Sequence, residues 1–145
     1  MIKRISALLV FVALTSAHGE GIDGYYVGKG DGSKNTLIIS TTSPQKIKFS
    51  ISTVSQNADD IGGRCTGSLD NTAIMHGNKA VFVDLEDFTG DYTIHPHVHP
   101  RIEMLFNNGT IVVKEVELSP FHGDQCSFEA TYKKASKKLF DNYNQ

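Results

Sequence analysis

Hydrophobic and polar residues alternate along much of the chain, and the clearest example is the segment 46–54. Ile47, Phe49 and Ile51 occupy every second position there, and lysines and serines lie between them. Successive side chains of a β-strand point to opposite faces of the sheet. The pattern therefore predicts a strand with one buried face and one solvated face.

The same alternation recurs in other segments and predicts further strands. Residues 25–27 and 37–39 are short runs of β-branched, aromatic or aliphatic side chains of the kind that favours strands. Three longer segments each place apolar residues on one face. These sets are Val81, Val83 and Leu85; Ile102, Met104 and Phe106; and Phe128, Ala130 and Tyr132.

Turn residues separate the predicted strands. The pair Asn108–Gly109 lies between two apolar segments, and Asn-Gly is a strong hairpin signal because both turn residues need a positive φ. Asn108 also begins an N-glycosylation pattern, but the turn is a sufficient reason for this dipeptide. Further turns are expected at 30–33, 43–45 and 76–78. About eight short strands joined in this way predict an all-β fold, either a single antiparallel barrel or a sandwich.

The first residues have the features of a secretory signal peptide. Lys3 and Arg4 precede an apolar run at 5–14, and small residues follow it. That run is shorter than the roughly 20 residues that span a bilayer, and we expect no membrane span elsewhere. We predict a signal peptide at 1–19, cut after Ala17 or Gly19, and a periplasmic or secreted product. A β domain should occupy 20–133, and a flexible or short helical tail 134–145.

Removal of the signal makes the chain more acidic. The full chain has 14 basic and 16 acidic residues. The loss of Lys3 and Arg4 leaves 12 basic residues, so the formal charge becomes −4. This balance argues against nucleic acid or anionic lipid as the partner and permits a basic protein partner.

The chain has two cysteines, Cys65 and Cys126, and both belong to the exported part. A single pair in an oxidising compartment predicts one disulfide. The alternative is a pair of free thiols in a chelating or redox site, although no C-x-x-C motif supports it.

Three histidines alternate in one short segment: His95, His97 and His99. In an extended chain all three point to one side, and neighbouring ones could share Zn²⁺ or Cu²⁺. The outer two would lie roughly 13 Å apart, so other ligands would be needed. A cut after Ala17 would make His18 the N-terminus, which could join a copper site. A solvated loop without a metal is the alternative, so the cofactor is either absent or Zn/Cu.

The segment 121–133 contains Cys126, Ser127 and Phe128, and a Cys-x-Gly motif begins at Cys65. These residues resemble the closing segment of small periplasmic β domains of the lysozyme-inhibitor type. The resemblance implies a protein that inhibits a lysozyme or another cationic hydrolase. The chain departs from that pattern because Ala130 occupies an expected glycine position and a second cysteine pair is missing.

No catalytic motif is recognisable. The chain has no G-x-S-x-G sequence and no cysteine expected to stay free, so we name no catalytic residues and favour a binding protein over an enzyme. The partner-binding candidates are Ser119, Phe121 and His122, beside the disulfide. Phe121 could fill a pocket of a cationic hydrolase or toxin, or it could turn inward and cover the core. A metal-binding protein that uses His95, His97 and His99 is the alternative function.

Overall fold

The computed structural model describes residues 21–30, 32–55, 65–85, 99–116, 121–123 and 126–144. They form a closed barrel of eight antiparallel strands and one short helix, which confirms the all-β prediction and selects the barrel over the sandwich. The strands are β1 (Gly24–Gly30), β2 (Ser33–Ser43), β3 (Lys46–Ser55), β4 (Thr66–His76), β5 (Lys79–Val83), β6 (Arg101–Asn107), β7 (Thr110–Val116) and β8 (Ala130–Ala135). The helix is α1 (Lys137–Tyr143).

Each strand pairs with its neighbour in sequence, and β8 pairs with β1 to close the barrel. Closure satisfies the backbone groups that an open edge would expose. Because the strands alternate in direction, their connections also alternate between the two ends. The connections 44–45, 77–78 and 108–109 lie at one end, which we call the turn end. The other four lie at the opposite end, which we call the loop end.

The turn between β6 and β7 has the backbone that its sequence predicts. Asn108 has φ 36° and Gly109 has φ 83°, so both adopt the left-handed conformation. Two such residues form the tight hairpin turn whose twist matches that of the strands. The Thr110 hydroxyl donates a 2.7 Å hydrogen bond to the carbonyl of Asn107. The predicted hairpin is confirmed.

Side chains fill the inside of the barrel. The inward face of β3 consists of Ile47, Phe49 and Ile51, as the alternation predicts, and the rings of Phe49 and Phe82 meet at 5.7 Å. An eight-stranded barrel is narrow enough for side chains to pack across it. The largest fully buried apolar residues are Tyr26, Leu37, Ile39, Ile47, Ile51, Ile102, Met104, Ile111, Phe128 and Tyr132.

The buried face of strand β5 is not the one that carries its valines. Val81 and Val83 do share a face, but it is the outer one, while Ala80 and Phe82 are buried. The register with β6 accounts for this, because Phe82 is paired with the inward residue Ile102. A slip of one residue would turn every side chain of the strand over, so the neighbouring strand decides which residues are inside.

Helix α1 follows β8 directly and packs on the barrel wall. The hydroxyl of Ser136 accepts a hydrogen bond from the Leu139 amide and caps the helix. Phe140 is buried against the ring of Tyr25, and the Tyr143 hydroxyl donates to the carbonyl of Gly28 at 2.8 Å. Among the described residues, no helix is long and apolar enough to cross a membrane.

Buried polar side chains lie toward the loop end of the barrel. The Thr53 hydroxyl donates to the Asn35 side chain at 2.7 Å, and the Asn35 amide donates to the Ser127 carbonyl at 3.0 Å. The Tyr132 hydroxyl donates to the Phe128 carbonyl at 2.8 Å. In the described part of the chain, no buried side-chain nitrogen or oxygen lacks a hydrogen-bond partner. This pairing offsets the cost of burying the polar atoms.

Tyr132 should make the protein sensitive to alkaline pH. Burial raises the pKa of Tyr132 well above its usual value. The folded state therefore favours the protonated ring, and the stabilisation is full below about pH 10 and lost as the pH rises above it. We expect about 1.4 kcal/mol of stability to be lost per pH unit there from this group. Urea unfolding of wild type and Tyr132→Phe across this range would measure it.

The Tyr132→Phe variant should lose about 1 kcal/mol at neutral pH, because its hydrogen bond is gone. Its stability should then fall less steeply than that of wild type above about pH 10. Equal slopes for the two proteins would contradict the role of Tyr132.

Candidate functional site

Residues between β7 and β8 cross the loop end of the barrel and contact β4 on the other side. Gly67 on β4 and His122 form an isolated antiparallel bridge. The amide of Cys126 donates to the carbonyl of Gly123 at 3.1 Å, which turns the chain back toward β8. We call the described residues 121–123 and 126–128 the crossing segment.

Gly67 allows the crossing segment to approach β4 closely. A Cβ atom at this position would lie 2.3 Å from the Cβ of His122 and 2.8 Å from the carbonyl oxygen of Phe121. Neither atom can move without moving the backbone. Glycine at position 67 is therefore a requirement of this contact.

The predicted disulfide between Cys65 and Cys126 is present. It joins the residue before β4 to the crossing segment, with the two Cα atoms 5.7 Å apart. The carbonyl of Cys65 also accepts a 2.8 Å hydrogen bond from the amide of Ser55 at the end of β3. The crossing segment is thus linked covalently to the β3–β4 side of the barrel.

Glu115 on β7 holds the crossing segment from the other side. One carboxylate oxygen accepts from the Ser127 hydroxyl at 2.8 Å, and the other accepts from the Phe128 amide at 3.0 Å. The first oxygen also lies 3.0 Å from Nε2 of His122. The side chains of His122 and Glu115 are only 7% and 14% exposed, so these bonds are shielded from water.

The imidazole of His122 points into the barrel. Its Nδ1 lies 2.9 Å from the carbonyl oxygen of Gly123. Its Nε2 meets the carboxylate of Glu115, and its ring stands edge-on to Phe128 at 5.0 Å. The His122 side chain, one of our partner-binding candidates, therefore contacts the barrel interior.

This cluster lacks the geometry of a catalytic triad. In a nucleophilic site the histidine accepts the proton of the serine hydroxyl. Here the Ser127 hydroxyl donates to Glu115, and both histidine nitrogens are engaged elsewhere. The arrangement can hold the crossing segment in place but does not activate Ser127.

Phe121 lies at the outer edge of the crossing segment. It is half-buried, because one side packs against the core and the other faces a surface depression of about 390 Å³. The structure thus combines the two orientations that the sequence allowed. The residues that line the depression with Phe121 are Ser52, Thr53, Val54, Thr66, Gly67 and Ser68.

The connections that leave and re-enter the barrel at the loop end are rich in acidic residues. They are residues 31–32, 56–65, 84–100 and 117–129, and Arg64 is their only lysine or arginine. The acidic residues are Asp31, Asp59, Asp60, Asp84, Glu86, Asp87, Asp91, Glu117, Asp124 and Glu129. The topology therefore attaches most of the acidic residues of the chain to one end.

Several predicted site residues lie outside the described residues: His95, His97 and Ser119. His99 is described and exposed, and it precedes Pro100, whose carbonyl accepts from the Asp84 amide at 2.8 Å. In the described parts of the chain no group of three His, Cys, Asp or Glu residues could hold a metal. The Zn/Cu site at His95, His97 and His99 stays a prediction.

Sequence reasoning missed Glu115, Gly67 and Ser127. Glu115 lies in a strand, 12 and 13 residues before Ser127 and Phe128, and no short motif joins these positions. Gly67 belongs to a motif that we noted, but its function depends on the crossing segment, which meets it only in the folded barrel. Single residues of this kind become recognisable only through their contacts.

Removing the disulfide should lower stability markedly. The bond closes a loop with a sequence separation of 61, which in the entropic account stabilises the fold by about 4 kcal/mol. We expect Cys65→Ser/Cys126→Ser to unfold at a correspondingly lower urea concentration. Mass spectrometry without reductant should show the linked pair in wild type. An unchanged urea midpoint in the double variant would contradict the prediction.

Glu115→Ala should also destabilise the fold, because the Ser127 hydroxyl, the Phe128 amide and His122 lose their acceptor. We expect a loss of about 2–4 kcal/mol from these shielded groups. Asp70→Ala, at an exposed position of β4, is the matched control and should change stability by less than about 0.5 kcal/mol. Amide exchange at Phe128 should accelerate in the Glu115 variant alone. Similar losses of stability in the two variants would show that the contacts of Glu115 with the crossing segment add nothing specific to stability.

Comparisons with known proteins supply no relative. No protein-family model matches the chain. A search of curated proteins and a search of solved structures each find no match. The resemblance to periplasmic β domains of the lysozyme-inhibitor type therefore stays a prediction, and the candidate site is defined by its own residues and contacts.

Proposed function

We propose that the protein binds another protein through its loop end, and that the partner is cationic. The observation that carries this proposal is the distribution of charge along the topology. Every connection at the loop end contains acidic residues, and Arg64 is the only lysine or arginine among them. A surface of one sign attracts partners of the opposite sign and raises their rate of encounter.

Phe121 is the candidate anchor of this interface. It lies beside the depression, next to exposed Val54 and Thr66, and part of its ring already packs on the core. Large aromatic side chains in such positions contribute much of the binding energy of protein interfaces. A partner side chain that entered the depression would contact Phe121 and the aliphatic Val54 together.

The rigid backbone beneath Phe121 supports the same role. The disulfide at Cys126 and the contacts of His122 with Glu115 and Gly123 hold the crossing segment before any partner arrives. Binding then costs less conformational entropy than it would for a loop that must be ordered. The buried side chain of His122 thus acts by positioning Phe121, its neighbour in sequence.

A cationic hydrolase, such as a lysozyme, is the class of partner that we propose. The acidic loop end and the sequence resemblance both support this class. An enzymatic function has less support, because the Ser127 hydroxyl is directed at Glu115 and not at His122. Export to the periplasm or the extracellular space, where such hydrolases act, is part of the proposal.

The test is to measure binding and inhibition with several types of lysozyme and other cationic hydrolases. We expect saturable binding that weakens as salt is raised, because acidic residues contribute to the encounter. Phe121→Ala should weaken binding by about 30-fold, the usual loss for an anchor of about 2 kcal/mol. Phe106→Ala is the matched control, since Phe106 is also half-buried against the core but lies near the turn end.

Thermal unfolding should first establish that both variants are folded. Equal losses of affinity in the Phe121 and Phe106 variants would place the interface elsewhere. The absence of binding to any cationic hydrolase, together with no effect on lysis of cell walls, would refute the proposed partner class.

A further inference from the structure

The turn end has the opposite charge to the loop end. Its three connections, 44–45, 77–78 and 108–109, contain no acidic residue. Lysines lie at or near the ends of the elements that meet there, and we call them the lysine rim. The lysine rim consists of Lys46, Lys79, Lys133, Lys134, Lys137 and Lys138.

Strand pairing places these lysines at the rim. Lys46 and Lys79 are the first residues of β3 and β5. Lys133 is paired with Thr110, the first residue of β7, and the amide of Lys134 donates to the carbonyl of Gly109. Lys137 begins α1 directly after β8. The rim therefore includes both sides of the barrel as well as the helix.

Acidic neighbours neutralise only part of the lysine rim. Lys79 binds Glu103 at 2.7 Å, and Lys137 binds Asp141 at 2.8 Å. Asp23, close to the N-terminal end of β1, accepts a 2.8 Å hydrogen bond from the amide of Thr41. Within the described part of the chain, Lys46, Lys133 and Lys138 form no ion pair, so the rim keeps a positive charge.

Exposed aliphatic side chains lie next to the lysines. Ile74 is the strand partner of Lys46, and Leu105 is the strand partner of Lys79. Leu139 follows Lys138 in α1 and is 51% exposed. Cations beside exposed aliphatic groups are typical of surfaces that lie in the interface of an anionic bilayer, where the cations meet phosphates and the aliphatic groups meet acyl chains.

We propose that the turn end docks on the surface of an anionic lipid bilayer. The three strand connections at this end have two residues each, so none of them holds the lysine rim away from a flat surface. The acidic loop end would then point away from the bilayer and stay accessible. This inference does not depend on the partner proposed for the loop end.

The acidic net charge of the chain does not oppose this docking. A seven-residue strand is about 23 Å long. The screening length is only about 10 Å at 0.1 M salt, so the charge near the bilayer decides the attraction. The acidic connections join the strands at the opposite end of the barrel, and those strand ends are farther from the turn end than this screening length.

The chemistry of the rim favours a bilayer over a nucleic acid. Protein surfaces that bind single-stranded nucleic acid offer aromatic side chains on which the bases stack. Here Lys137 lies over the ring of Tyr25 at 5.7 Å, and Lys134 lies over the ring of Tyr26 at 6.0 Å. The exposed aliphatic side chains beside the lysines, Ile74, Leu105 and Leu139, gain nothing from a soluble polyanion.

Co-sedimentation of the full chain with vesicles tests the proposal. Vesicles of phosphatidylcholine with about one-third phosphatidylglycerol supply the anionic surface, and pure phosphatidylcholine is the reference. We expect binding to the anionic vesicles that declines with salt. Lys133→Gln/Lys138→Gln should reduce the partition coefficient about 30-fold, from about fivefold per lysine near an anionic surface.

The matched control is Lys29→Gln/Lys114→Gln, which makes the same charge change at exposed positions away from the turn end. It should bind the anionic vesicles nearly as well as wild type. Equal losses in the two double variants would mean that net charge alone drives binding and would overturn the proposal. The absence of binding to anionic vesicles at low salt would overturn it directly.

Leu139→Gln distinguishes a bilayer from other polyanions. It should weaken vesicle binding several-fold, because the aliphatic contact is lost while the charge is unchanged. Heparin and duplex DNA serve as soluble probes, and neither should distinguish Leu139→Gln from wild type. Tight binding of heparin or DNA without vesicle binding would assign the rim to a soluble polyanion instead.

Discussion

Pairing of β8 with β1 is the constraint on which the other features of the molecule depend. Closure leaves no free strand edge, and the antiparallel pairing of consecutive strands makes the connections alternate between two ends. The three connections at the turn end have two residues each, whereas three of the four at the loop end are much longer.

The loop end needs an additional set of interactions, because the chain between β7 and β8 must cross it. Three features hold the crossing segment: the disulfide at Cys126, the carboxylate of Glu115 and the missing side chain of Gly67. They act on the same few residues from different walls of the barrel. As a result Phe121 has a supported backbone although it lies at the surface.

Topology also separates the charges, which gives the two ends different chemistry. The chain has more acidic than basic residues, and taken alone this surplus argued against an anionic surface as a partner. The barrel divides that charge into an acidic loop end and a lysine rim. Because salt screens the electrostatic attraction of each charge over a short distance, the two ends can attract different partners.

The sequence by itself determined the strands, the tight turns and the disulfide, because these depend on local alternation, on residues that tolerate positive φ and on a single cysteine pair. The Asn108–Gly109 turn and the inward face of β3 could be predicted for that reason. The sequence did not show which face of β5 is buried, since alternation gives a period but not a direction. Only the tertiary structure decided that side, through the pairing with β6. It also brought Glu115 and Gly67 to the crossing segment, because no pattern of neighbouring residues encodes those contacts and Gly67 is distant from the segment in the chain.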